Sequence, residues 1–174
     1  GNCRACVVEI AGERVLAPAC CRTATSGMTV ATGSERARKS QRLVLELLQA
    51  DMPAQAYTRN NELERWAAKL DVGQPRFAPR VQPPPDLSHP AMAVHLDACI
   101  QCTRCLRACR DEQVNDVIGL AARGSDVRIM FDMDDAMSAS SCVGCGECVL
   151  HGRVVAAGFG APPERATGVI VVPR

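Results

Sequence analysis

Short apolar runs broken by glycine open the chain: Cys6 to Ile10, Arg14 to Leu16 and Met28 to Ala31, separated by Gly12, Gly27 and Gly33. This pattern predicts short strands joined by turns, a small β-rich unit over residues 1–33. From Ser34, a residue type that caps helix N-termini, to Ala50, the leucines Leu43, Leu47 and Leu48 recur at helical spacing. They lie opposite Arg36, Arg38, Lys39 and Arg42, which predicts an amphipathic helix. The basic run reads as a solvated face, with a docking surface as the sharper alternative. A second helix is expected from Asn61 to Leu70, burying Leu63, Trp66, Ala67 and Leu70 and stopping at Gly73, so residues 34–73 form a helical segment.

Residues 74–90 hold Pro75, Pro79, Pro83, Pro84, Pro85 and Pro90, a density that excludes helix and sheet and predicts an extended linker. The next unit, residues 91–152, carries Cys99 to Cys109, a short helix expected around Gln113 to Ala122, a strand at Val127 to Phe131, and Cys142 to Cys148. Residues 153–174 form a tail ending in the apolar run Gly168 to Val172, for which the sequence offers no strand partner.

Composition changes this picture in one respect. Of 174 residues only 3% are aromatic while eleven are cysteine, so a group bonded to sulfur is expected to help fill the core. Eleven is odd, the cysteines fall in tight groups, and no signal peptide is recognisable, which speaks against a secreted disulfide scaffold and for a reducing cytoplasm. A formal net charge of +1 gives no broad attraction to nucleic acid. No apolar run approaches the roughly 20 residues of a membrane span.

Cys99-x2-Cys102-x2-Cys105-x3-Cys109 is the spacing of the bacterial ferredoxin run, in which three thiolates bind one 4Fe-4S cubane and the fourth reaches a neighbouring cluster. A zinc site instead pairs two well-separated C-x-x-C knuckles. Cys142-x2-Cys145-x2-Cys148 repeats the pattern, with Gly144 and Gly146 permitting dihedrals that aim amide N-H groups at sulfur. By the crossed-ligand rule, Cys109 completes the set of Cys142, Cys145 and Cys148. The residue that should complete the set of Cys99, Cys102 and Cys105 is Gly152. That first cluster is left with a 3Fe-4S form, a water or thiol on the fourth iron, or His151, whose plainer reading is a surface histidine.

Near the N-terminus, Cys3-x2-Cys6 and Cys20 supply three soft ligands around an expected strand turn. They suit a 2Fe-2S centre lacking one ligand, or half of a zinc knuckle. Cys21, pointing away from Cys20 in any strand, reads as a buried or spare thiol.

The residues Gly-Asn-Cys-Arg-Ala-Cys-Val-Val-Glu-Ile, Pro-Ala-Cys and Ser-Gly-Met-Thr-Val-Ala-Thr resemble the 2Fe-2S domain of NAD-linked molybdenum or tungsten formate dehydrogenase alpha subunits. Iron-only hydrogenases and the large peripheral subunit of complex I share this module. From Asp86 to Cys148, Leu-Asp-Ala-Cys-Ile-Gln-Cys-Thr-Arg-Cys and Gln-Val-Asn-Asp-Val-Ile-Gly look closest to the formate dehydrogenases. The resemblance covers about residues 1–149. It implies an α+β chain: a β-grasp 2Fe-2S ferredoxin-like domain, truncated at its N-terminus, then a two-cluster 4Fe-4S ferredoxin-like domain. It assigns Cys3, Cys6 and Cys20 to the 2Fe-2S centre, with a first ligand upstream of Gly1. It also implies a molybdopterin domain or subunit and a flavin and NAD-binding subunit as partners, and electron relay rather than substrate catalysis as the task.

Departures from the family accompany the match. Residues 50–72 lack the His-Cys3 motif of many relatives, and His89 and His95 have no neighbouring ligands to replace it. The family's Cys-Pro-Thr-Gly-Ala-Leu gives way to Leu150-His151-Gly152-Arg153-Val154-Val155. Those six residues can be spelled CTG CAC GGG CGC GTT GTC, which read one base later gives Cys-Thr-Gly-Ala-Leu, so a frameshift would explain this ending. The molybdopterin domain itself is not in this sequence. Three rival readings stand beside the first: a stand-alone polyferredoxin, a piece of a hydrogenase or complex I subunit, and a gene remnant.

Overall fold

The computed structural model describes residues 2–52, 62–90 and 92–152, the last three of these by backbone alone. The expected tail 153–174, the helix start at Asn61 and the side chain of His151 lie outside them. The chain is a mixture of helices and small antiparallel sheets in two compact units. One holds residues 2–50 and Leu63–Ala78; the other holds Asp51, Met52, Glu62 and the described residues from Pro79 on.

In the first unit, β1 (Val7–Ile10) is the centre of a three-stranded sheet, flanked by β2 (Ala17–Pro18) and β3 (Val30–Ala31). Val8 pairs with Ala17 and Ile10 with Val30, and Val8, Ile10 and Ala17 are buried with Met28 against them. The second strand is Ala17–Pro18, just beyond the expected Arg14 to Leu16. Gly12, at φ +84°, turns the chain between β1 and β2.

The helix α1 (Glu35–Ala50) starts as its sequence predicts: the Ser34 hydroxyl accepts the Ala37 N-H at 3.2 Å, satisfying an otherwise orphaned donor of the first turn. Its buried face differs from expectation. Ala37 and Leu45 are covered, whereas Leu43 and Leu47 are 42% and 45% exposed. The rotation is fixed by Gln41, half-buried on the covered side, whose amide donates to the Val7 carbonyl of β1 at 3.0 Å.

The helix α2 (Glu62–Lys69) buries Leu63 and Ala67. Trp66, expected in the core, is 49% exposed, with the Lys69 ammonium 4.5 Å above its ring. Leu63→Ala is therefore expected to cost roughly 2–5 kcal/mol and Trp66→Ala less, in urea denaturation; the reverse order would put Trp66 in the core. The helix is stopped at Asp71, two residues past its end at Lys69, rather than at Gly73. Asp71 is left-handed at φ 53°, its N-H bonds to the Ala68 carbonyl at 3.1 Å, and Val72 N-H reaches Ala67 at 2.9 Å, a complete Schellman closure.

After α2 the chain returns along α1, where Glu46 is buried and grips Arg76. Its carboxylate accepts Arg76 Nε at 2.7 Å, Nη2 at 2.8 Å and the backbone N-H at 3.0 Å. The guanidinium fork holds the Glu46 carboxyl down to about 2 from an ordinary 4.5. The stability this contributes is fully present above pH 4.5 and is lost as pH falls toward 2. Glu46→Gln is expected to lower the thermal midpoint at neutral pH, with the difference from the parent chain shrinking below pH 4.5, as followed by circular dichroism.

The second unit contains a hairpin, β4 (Ile118–Ala121) with β5 (Arg128–Phe131), pairing Ile118 with Phe131 and Leu120 with Ile129. The short helix expected around Gln113 to Ala122 is absent: a loop leads into β4, whose Ile118 is buried against the core. Short helices α3 (Arg104–Arg107) and α4 (Glu147–Gly152) complete the unit, with a single π-turn (Ala108–Glu112) after α3. No helix among the described residues is long and apolar enough to cross a membrane.

Candidate metal centres

The core of the second unit is built around thiols. Cys99, Cys105 and Cys109 are buried with Met92, Val94, Val117, Ile118, Ile129, Phe131 and Met137, and Cys142 and Cys148 pack against that cluster. Cys102 is half-buried and Cys145 exposed. Soft sulfur ligands in an apolar chamber match the donor set that iron-sulfur clusters, zinc and copper(I) prefer.

The two cysteine loops have the same backbone. In the first, the Gln101 N-H donates to Cys99 Sγ at 3.4 Å; in the second, the Gly144 N-H donates to Cys142 Sγ at 3.4 Å. Both loops turn left-handed two and four residues after the first cysteine: Gln101 (φ 54°) and Thr103 (φ 61°), Gly144 (φ 64°) and Gly146 (φ 81°). Each then enters a helix one residue before its third cysteine, α3 at Arg104 and α4 at Glu147. The second loop uses glycine where the backbone requires it, while the first holds Gln101 and Thr103 there at roughly 1–2 kcal/mol each. Gln101 is secured by its side-chain amide, which donates to the Val127 carbonyl at 2.9 Å.

Burial drives the thiols toward their neutral forms. It pushes Cys99 up to about 11 and Cys148 up to about 12, and Cys105 upward as well. After burial, the thiols that raise Cys105 are Cys99, Cys102 and Cys148; those that raise Cys148 are Cys142, Cys145 and Cys109. Cys105 thus lies within electrostatic reach of Cys99, Cys102 and Cys148, and Cys148 within reach of Cys109, Cys142 and Cys145. Such thiols keep their protons until a metal replaces them. Among the described residues no three His, Cys, Asp or Glu side chains converge closely enough to enclose a single metal ion. A cubane instead places one thiolate on each iron corner, over a wider span.

The segment after Cys109 stitches the loops together. Asn115 and Asp116 N-H groups turn back to the Cys109 carbonyl at 3.0 and 3.5 Å, and the Asn115 amide donates to the Ser141 carbonyl at 3.2 Å. Asp132, leaving β5, accepts from Ser141 through both N-H (2.5 Å) and hydroxyl (2.9 Å). Asn115 and Asp116 fall in the stretch that carries the family resemblance, whereas Asp132 was not singled out, because nothing in the pattern couples an aspartate after a strand to a cysteine loop. His89, set aside as a ligand, has its Nε2 3.7 Å from where a Cβ on Gly144 would stand. His95 precedes the one-turn helix Leu96–Ala98 that leads to Cys99. Arg80 donates to the Val127 carbonyl at 2.9 Å, and its positive charge opposes the rise of Cys99. Gly152 ends α4 four residues after Cys148, as Cys109 follows Cys105 by four.

In the first unit, Cys3 and Cys6 are half-buried, with Arg4 between them left-handed at φ 57°. The Ala19 N-H bonds to the Cys6 carbonyl at 3.1 Å and ties the one-turn helix Ala19–Cys21 to that loop. Because this segment is helical rather than a strand, the alternation invoked for Cys21 does not apply. Cys20 and Cys21 are both exposed, and their sulfurs stand 3.7 Å apart.

Sequence relatives show that the chain belongs to a family of oxidoreductase subunits. The chain is homologous to subunits of hydrogenases, NADH-quinone oxidoreductases and formate dehydrogenases. It is 32% identical to the NADP-reducing hydrogenase subunit HndD of Solidesulfovibrio fructosivorans over 85% of its length, which is 26% of that protein. It is also 32% identical to an NADH-quinone oxidoreductase subunit of Rhizobium meliloti, across 85% of this chain and 18% of the relative. A putative formate dehydrogenase of Staphylococcus haemolyticus is 28% identical over 84% of the chain and 15% of the relative. The chain therefore spans about a quarter or less of these relatives. The fold matches a chain of an NAD+-reducing nickel-iron hydrogenase crystallised in the H2-reduced state, with TM-score 0.72 and 24% identity, covering 93% of this chain and 73% of that one. No protein-family model matches the sequence.

Proposed function

We propose that the chain is the iron-sulfur electron-relay segment of a larger cytoplasmic oxidoreductase. The observation that carries this reading is the pair of like-folded cysteine loops, each offering an amide N-H to its first sulfur at 3.4 Å. In this reading Cys109, Cys142, Cys145 and Cys148 hold one 4Fe-4S cubane. Cys99, Cys102 and Cys105 hold a second cluster whose fourth position falls at Gly152, as a 4Fe-4S or 3Fe-4S form. Cys3, Cys6 and Cys20 belong to a 2Fe-2S centre in a β-grasp ferredoxin-like unit. Bound clusters supply one-electron chemistry.

The residues of the chain tune that chemistry. The apolar walls formed by Ile118, Ile129, Phe131 and Met137 exclude water from the thiolates. The Gln101 and Gly144 N-H groups and the Arg80 cation stabilise negative charge on sulfur, which favours the reduced state.

The resemblance of Asp86 to Cys148 favours formate as the ultimate donor, with a molybdopterin domain delivering electrons and a flavin subunit passing them to NAD. A hydrogenase parent is the second reading, favoured by the 32% identity to the NADP-reducing hydrogenase subunit against 28% to the formate dehydrogenase. To test relay, the anaerobically reconstituted chain is reduced, freed of reductant and mixed with a one-electron acceptor such as cytochrome c. Recovery of one electron per reducible cluster is expected; recovery no greater than that of the cluster-free chain would overturn the proposal.

A further inference from the structure

Val114 (φ 58°), Asp116 (φ 51°) and Asp132 (φ 46°) are held in the left-handed region without being glycine. A β-branched residue is an outlier there, and Val114, 80% exposed, gains no burial in return. Strain of this kind persists where surrounding contacts impose it, and it gathers at functional sites. Here it flanks Asn115, whose N-H donates to the Cys109 carbonyl at 3.0 Å and whose side-chain amide donates to the Ser141 carbonyl at 3.2 Å. Asp132 is anchored by its own N-H on the Val117 carbonyl at 2.8 Å. Its carboxylate accepts the Ser141 N-H at 2.5 Å and the Ser141 hydroxyl at 2.9 Å. Ser141, the residue before Cys142, is thus bonded through its carbonyl, N-H and hydroxyl, and Asn115 ties it to Cys109. The first loop is entered differently, through a local turn in which the Cys99 N-H closes on the Leu96 carbonyl at 3.0 Å.

We propose that Asn115 and Asp132 are positioning residues of the cubane of Cys109, Cys142, Cys145 and Cys148, a proposal that rests on the crossed-ligand reading of that set. Acting through Ser141, they hold Cys142 in place relative to Cys109. Spacing within a run fixes Cys142, Cys145 and Cys148 among themselves, but Cys109 comes from the other run, and no local backbone geometry relates it to Cys142. The Asn115 to Ser141 to Asp132 chain supplies that relation. Groups that orient ligands in this way govern how tightly the metal is kept as well as the electronic state it adopts.

The test uses the full 174-residue chain, reconstituted anaerobically with iron and sulfide, as parent, Asp132→Asn, Asn115→Asp and the double variant. Both single changes keep the side chain's size; the first replaces a carboxylate oxygen by a donor, the second removes the donor to Ser141. Each is expected to shift the g-values of the reduced-cubane EPR signal and to shorten its half-life in air by roughly tenfold. The cluster of Cys99, Cys102 and Cys105 should be unchanged. Because both residues act through Ser141, the double variant should lose little more than either single one. Unchanged g-values and half-lives overturn the proposal, as do equal losses at both clusters that follow a lowered urea midpoint, the mark of a structural role alone. No cubane signal in the parent overturns the underlying reading and the proposal with it. Hydrogen exchange of the loaded parent chain, read by mass spectrometry, needs no variant to fold. The Ser141 N-H, although its residue is exposed, should exchange slowly; exchange at the rate of an unbonded loop amide contradicts the proposal.

Discussion

Cys109→Ser is expected to erase the reduced-cubane EPR signal of the reconstituted chain, although Cys109 lies in the first cysteine run and the cubane it completes is named by the second. Cys109 is buried in the thiol core and contributes to the raised pKa of Cys148, whereas the thiols adding to Cys105 are Cys99, Cys102 and Cys148. Its removal leaves two sets of three thiolates. Cys102→Ser, which touches only the other set, should preserve the signal. Loss of the signal in Cys102→Ser as well as in Cys109→Ser would mean that each run binds its own cluster without crossing.

Gly152→Cys is the reciprocal change. In α4 Gly152 holds the place, four residues beyond Cys148, that Cys109 holds beyond Cys105. A thiolate there supplies the fourth ligand of the Cys99, Cys102 and Cys105 set. The chain should then bind about eight irons in two reducible cubanes, and a three-iron signal in the oxidised parent should disappear. It should also retain iron longer in air, because a cubane with an open corner loses that iron first. Unchanged iron content and an unchanged oxidised spectrum would show that the first set takes its fourth ligand elsewhere.

Local rules made much of the fold legible. The Ser34 cap depends on a contact within the first turn, and the strands Val7–Ile10, Val30–Ala31 and Arg128–Phe131 lie within two residues of their expected places, although Ile10 pairs with the distant Val30. Misplaced features were those decided by a distant partner. The exposed Leu43 and Leu47 follow from the grip of Gln41 on the Val7 carbonyl, 34 residues away in sequence. Trp66 covers the helix surface beneath Lys69 instead of filling a core already closed by Leu63 and Ala67. Residues Ile118–Ala121 pair as a strand because Arg128–Phe131 offers an edge that a helix periodicity over so short a run could not reveal.

Cysteine spacing marked out the candidate site, since the three-residue steps alone separate the thiols into runs. Its support was hidden: Asp132 and Asn115 act on Ser141, and Gln101 and Arg80 meet at the Val127 carbonyl, all through contacts spanning 9 to 47 residues. The exposure of Cys21 was masked by assuming a strand where Ala19–Cys21 is a helical turn.

The central claim is that these thiols hold iron-sulfur clusters, and low-temperature EPR with iron and acid-labile sulfide counts on the anaerobically reconstituted chain tests it most directly. Iron and sulfide in near-equal amounts, with a reduced-cubane signal from the set completed by Cys109, is the predicted result. Stoichiometric zinc, no labile sulfide and no EPR signal would contradict it.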